Sequence, residues 1–139
     1  MAVPYLYDDV PVLRNTLSIK EEKTLDLIEA EQSRVNMMLL YEQGFQNFSP
    51  EGLKEIHRFL FGDLYDWAGE YRIINIEKRE KLLAGRSVWY SNDEAIADDL
   101  ISVFRSIQEQ AWQTLSKEAF VSTLARYFSK IWQVHPFRE

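Results

Sequence analysis

The sequence predicts a mainly α-helical domain of four main helices, with one small β-hairpin between the second and the third. Three observations carry this. Apolar residues recur at helical spacing in four separate stretches. Each stretch opens on a serine placed as a helix N-cap: Ser18, Ser49, Ser91 and Ser116. Between the second and third, residues 73–90 change character: "IINIEKREKLLAGRSVWY" sets β-branched and aromatic residues on either side of a charged centre.

Taken in order, residues 1–17 hold two of the four prolines and read as an extended N-terminal arm. Ser18 with Glu21 forms a capping box, after which Leu25, Ile28, Val35 and Leu39 carry an apolar face to about Tyr41, and Gly44 ends the helix. Ser49-Pro50-Glu51 starts the second helix, with proline at its first position and Leu53, Ile56, Phe59 and Leu60 toward a core. Two glycines in "FGDLYDWAGEYR" (61–72) break it. The hairpin follows over 73–90, its polar tip at "EKREK". Ser91 and Glu94 make another capping box ahead of Ile96, Leu100, Val103 and Ile107, a helix read through about Trp112. Ser116 opens the last helix, with Phe120, Leu124, Tyr127, Phe128 and Ile131 on one face. Pro136 disfavours a helical conformation at His135, so the helix is expected to end there.

A chain of 139 residues is expected to form one domain, 1–139, burying roughly two-thirds of the surface its unfolded form exposes. With 46% apolar and 27% charged residues it falls in the globular class, which sets disorder aside. The net charge of −6 argues against nucleic-acid or anionic-membrane partners, because phosphate contacts need clustered Lys and Arg. A local site for one nucleotide remains compatible with it. The chain has no cysteine, which removes disulfides and thiolate chemistry. No apolar run approaches ~18 residues and the N-terminus has no secretory pattern, so no membrane association is expected. A cytoplasmic location follows, or delivery as a secreted effector through a specialised system.

Few residues carry a recognisable chemistry. No phosphate-binding glycine loop, nucleophile elbow or zinc spacing is present. The acidic pairs Asp8-Asp9 and Asp98-Asp99 read as solvated. Of the two histidines, His57 sits inside the second helix and reads as a surface or half-buried packing residue. His135 stands at a helix end, in a turn, where an imidazole is suited to take a proton near neutral pH. On periodicity alone His135 is a helix C-cap.

Four pieces of sequence alter that reading. "YLYDDVPVLRNTLSIKEEKTLDLIEAE", "LYDWAGEYRIINIEK", the two helices after it, and the closing "HPFRE" together resemble the Fic domain, whose motif is H-P-F-x-[D/E]-G-N-G-R. The resemblance implies a compact Fic-like helical fold in which 73–90 is a flap. It implies a protein adenylyltransferase, which moves AMP from ATP to a Tyr, Ser or Thr hydroxyl. His135 then matches the general base, Phe137 the aromatic loop anchor, and Glu139 the acidic ligand of Mg²⁺. Pro136 shapes the turn and Arg138 falls at a variable position. Ile76, Glu77 and Lys78 of the flap would meet nucleotide or target, with the target protein docking by strand pairing. Related domains transfer UMP, phosphocholine or phosphate, and a non-catalytic protein-binding module using the flap edge is the alternative from another class.

The motif continues in the family with Gly-Asn-Gly-Arg, which supplies the anion cradle and an arginine for the phosphates. The sequence reaches only Glu139, so the 139 residues are expected to be an incomplete Fic domain, weak or inactive alone, with part of the last helix's apolar face bare. The family's inhibitory helix carries [S/T]-x-x-x-E-[G/N]. Residues 18–23, "SIKEEK", have the Ser and Glu but Lys23 in the final place, so they read as a helix cap. Any inhibitor is then expected on an antitoxin-like partner, or beyond Glu139.

Overall fold

The computed structural model describes residues 4–79 and 87–138, with the backbone alone for the strand residues 77–79 and 87–89. The order of elements is α1 (Glu22–Gln43), α2 (Pro50–Phe61), β1 (Glu77–Arg79), β2 (Ser87–Trp89), α3 (Ile96–Glu109) and α4 (Lys117–Val134). The chain divides into two compact units, Met1–Glu70 and Tyr71–Glu139.

In the first unit the opening segment does not run extended throughout. It folds back on itself through an antiparallel bridge of Leu6 with Leu13 and hydrogen bonds from Tyr7 N–H to Val12 O and from Arg14 N–H to Tyr5 O. Asn15 holds the return: its amide nitrogen donates to Leu13 O and Ile19 O, and its oxygen accepts from the N–H groups of Leu17 and Ile19. The fold-back has an apolar reason, because it buries Val12 with Leu25, Leu64, Tyr65 and Ala68 in one core.

The N-cap of α1 differs from the expected one. Ser18 takes a left-handed backbone (φ 57°), and Glu21 caps instead, its carboxylate accepting from Thr24 N–H at 3.0 Å. An acidic cap also suits the positive end of the helix dipole. Only Leu25 and Leu40 are buried along α1, whereas Val35 and Leu39 stand exposed. α2 begins as expected, with Ser49 Oγ accepting from Gly52 N–H, and Asn36 Nδ2 of α1 donates to Leu60 O at its far end. Its buried residues are Gly52, His57 and Leu60, with Leu53, Ile56 and Phe59 half-buried.

The second unit holds the strand pair and two helices. β1 and β2 pair antiparallel in the register Glu77–Trp89, Lys78–Val88 and Arg79–Ser87. The expected tip, Glu80 to Arg86, lies outside the described residues. The Ser91/Glu94 capping box does not form. A 3₁₀ turn, Asp93–Ala95, leads into α3, and Ser91 Oγ donates instead to Asp99 Oδ2 at 2.6 Å. α3 buries Ile96, Leu100 and Phe104 and ends at Glu109; Trp112 belongs to a separate 3₁₀ turn. In α4, Ser116 caps as expected by accepting from Ala119 N–H. Its buried residues are Tyr127 and Val134, while Phe120, Leu124 and Phe128 are exposed. The apolar residues of α4 therefore form two stripes, of which one is packed.

Candidate active site

α4 stops where the proline rule requires. His135 is its C-cap, in a left-handed conformation (φ 49°, ψ 67°), with its N–H bonded to Ile131 O at 3.2 Å. This single left-handed cap satisfies a carbonyl that the helix end would leave open. The chain then turns through Pro136 and Phe137, both buried.

The imidazole of His135 is half-buried and stacks on the phenol ring of Tyr90, centroids 4.3 Å apart and planes 20° from parallel. Tyr90 is itself buried, and Trp132 meets it edge-on at 5.5 Å. Phe137, 6% exposed, packs toward Tyr71 at 6.0 Å, so the expected loop anchor is inside. His135 and Phe137 are thus held by two different aromatic partners, one on each side of Pro136.

Sequence reasoning missed Arg72. Its side chain is almost completely buried, at 2% exposed. Nε donates to His135 O at 2.7 Å, Nη1 to Ile74 O at 2.7 Å, and Nη2 to Val134 O at 3.1 Å and to Ser91 O. Its backbone N–H donates to Pro136 O at 2.9 Å. The sole signal in the sequence was an arginine just after a glycine-containing turn, next to the flap. Asn75, also unremarked, accepts from Asp93 N–H at 2.8 Å through Oδ1, tying the approach to β1 to the 3₁₀ turn that leads into α3.

The other expected site residues divide. Ile76 is half-buried immediately before β1. Glu77 and Lys78 form β1 by backbone, and their side chains lie outside what is described. Glu139 also lies outside the described residues. Among the described residues no group of three His, Asp or Glu side chains could hold a metal. No described helix is long and apolar enough to cross a membrane.

His57 does not join the site. It is 5% exposed, more deeply buried than expected, and lies in the first unit against Phe61, with ring centroids 4.9 Å apart. Its Nδ1 accepts the N–H of Gly69 at 2.8 Å. Burial pushes its pKa down to about 4, so near neutral pH it is an uncharged acceptor.

The fold and loop together define a class: a helical scaffold that presents one histidine at a helix C-terminus, beside a short antiparallel strand pair. A Fic/DOC family model matches residues 47–139, and the chain belongs to that family. Among its relatives, the probable protein adenylyltransferase y4lH of Sinorhizobium fredii is 31% identical over 98% of this chain and 67% of its own length. The probable protein adenylyltransferase Fic of Escherichia coli is 29% identical over 97% of this chain and 64% of its own. The chain therefore spans about two-thirds of the length of these relatives. In fold it is similar to the N-terminal Fic domain of a VirB-translocated Bep effector protein of Bartonella quintana, solved with bound ADP. That likeness has a TM-score of 0.85 at 22% identity and covers 97% of this chain and 68% of the other.

Proposed function

We propose that the chain is the base-bearing part of a protein adenylyltransferase, in which His135 takes the proton of a target Tyr, Ser or Thr hydroxyl. The freed oxygen attacks the α-phosphorus of ATP, a new P–O bond joins AMP to the target, and pyrophosphate leaves with the electrons of the broken bond. The observation that carries this reading is the fixed His135: an imidazole at the C-cap of α4, half-buried against Tyr90, within the residues that the family model matches. Two relatives named as protein adenylyltransferases, and an ADP-bound neighbour of the same fold, support the nucleotide as co-substrate.

Phe137 anchors the loop by its burial beside Tyr71. A Mg²⁺ ion, which would neutralise phosphate charge, would be held by the Glu139 carboxylate, an oxygen ligand of the kind this ion takes. In this reading the strand pair β1–β2 is the flap, where an extended segment of the target adds as a strand and Ile76, Glu77 and Lys78 meet nucleotide or target. Inhibition would come from an antitoxin-like partner. The reaction belongs to a cytoplasmic compartment, that of the producing cell or of one that receives the protein as an effector.

The test is transfer of labelled AMP by a chain carrying the full family motif. Labelling that requires ATP and Mg²⁺ and disappears in His135→Ala is the expected result. Labelling that survives His135→Ala refutes the base assignment, and equal or better labelling from UTP reassigns the donor.

A further inference from the structure

We propose that Arg72 is a positioning residue for this reaction: one buried guanidinium sets the main chain of His135, and fixes it to the two segments that enter and leave the strand pair. The inference rests on the reading of His135 as the base.

The three consecutive carbonyls Val134 O, His135 O and Pro136 O all accept hydrogen bonds from Arg72, two from its guanidinium and one from its backbone N–H. The first two of those carbonyls belong to the peptide planes on either side of the His135 Cα. Fixing both planes fixes φ and ψ at that residue, and hence the direction of its Cα–Cβ bond. The remaining freedom is rotation of the side chain, and the Tyr90 ring limits that by stacking. Tyr90 is in turn held from the same point, because Nη2 of Arg72 also binds the carbonyl of the next residue, Ser91.

The other acceptor is Ile74 O, on the approach to β1, while Ser91 lies just beyond β2. Arg72 therefore ties the segments that enter and leave the strand pair to the base-bearing loop. A target strand docked on the flap would meet the base at a separation set by this one side chain. The chemistry of arginine suits the task. Its planar fork carries five donors in fixed directions, and it stays charged when buried. The acceptors at residues 134 and 135 are helix-end carbonyls, at the negative pole of α4, where a cation is favoured. A lysine would bring one nitrogen to a cluster of acceptors that three nitrogens now serve.

The test is Arg72→Lys in the full-length chain, with three readouts on folded protein. The expected outcome is loss of the nuclear Overhauser contacts between the His135 and Tyr90 rings. With it, kcat for the target falls about tenfold or more while the nucleotide Kd stays within about twofold, as misplacement of a base predicts. A folded Arg72→Lys protein with those ring contacts and kcat unchanged overturns the proposal. If the ring contacts vanish but the wild-type chain transfers no AMP, the positioning stands and the adenylyltransferase reading falls. Should the variant fail to fold, the wild-type protein decides. Slow exchange of the Arg72 Nε–H, with through-bond coupling to the His135 carbonyl, supports the clamp; rapid exchange without coupling overturns it.

Discussion

His57 makes acid stability a direct measure of one buried side chain. In the unfolded chain its imidazole takes a proton near pH 6.5, and in the folded chain only near pH 4, because burial disfavours the charged form. Between those values the unfolded state binds more protons, so falling pH favours unfolding. The contribution of His57 is complete above pH 6.5 and is lost as pH falls toward about 4. A gap of about 2.5 pH units at 1.36 kcal/mol each corresponds to about 3 kcal/mol, a large share of the stability of a domain. The perturbation is His57→Gln, which keeps an acceptor for Gly69 N–H and removes the titration. The assay is urea unfolding of both proteins at a series of pH values from 7 to 4. At pH 7 the variant is the less stable, having lost the ring packing against Phe61 and Trp67. Toward pH 4 the wild type should lose about 3 kcal/mol relative to it, so that the two converge or cross. A stability difference that stays constant across the window refutes the reasoning, as does a His57 ring that titrates near pH 6.5 by NMR.

Two further predictions concern packing away from His135. Gly69→Ala should cost more than about 1 kcal/mol, because φ is +81° and the added Cβ would meet Lys54 O at 2.9 Å and Arg58 Cβ at 2.8 Å. A melting temperature equal to the wild type contradicts this. A polypeptide of these 139 residues should self-associate with rising concentration through the exposed stripe of α4, where Val121, Leu124 and Phe128 are 58%, 52% and 69% exposed. The pair Leu124→Lys and Phe128→Lys should then return it to monomer in sedimentation equilibrium, and a wild-type polypeptide already monomeric at every concentration counts against the stripe.

The features legible in the sequence are those decided within a few residues. Ser49 and Ser116 cap as expected because a serine hydroxyl reaches an N–H three residues on, without help from elsewhere. The end of α4 at His135 follows from Pro136 alone. The failures are local competitions that the pattern does not rank. Glu21 takes the cap from Ser18, and Asp99 draws the hydroxyl of Ser91 away from capping. Helical periodicity marks the apolar stripes but not which stripe is packed, so Val35 and Leu39 on α1 stand exposed against expectation, whereas the exposed Leu124 and Phe128 fall on the helix whose apolar face was expected to be partly bare. Arg72 had only its place after a glycine-containing turn to mark it. Its partners at 134–136 lie more than sixty residues away, and nothing near it announces a buried guanidinium.

The backbone at His135 connects these levels. A helix that ends in the left-handed region ordinarily does so with glycine, which has no side chain to strain. A histidine there costs more than a glycine would, although histidine is among the residues that enter the region most readily. Pro136 removes the helical alternative, and the bond to Ile131 O together with the Arg72 clamp holds the one that remains. Glycine would meet the backbone requirement of the turn with less strain, so the turn alone does not explain the imidazole. What the imidazole adds is a titratable group on a main chain fixed at both flanking peptides, with its ring set against Tyr90. The residue that strains the helix end is the one to which the family resemblance assigns the proton transfer. The surrounding hydrogen bonds are spent on holding it, which is the arrangement expected of a base that must meet its substrate without searching for a conformation.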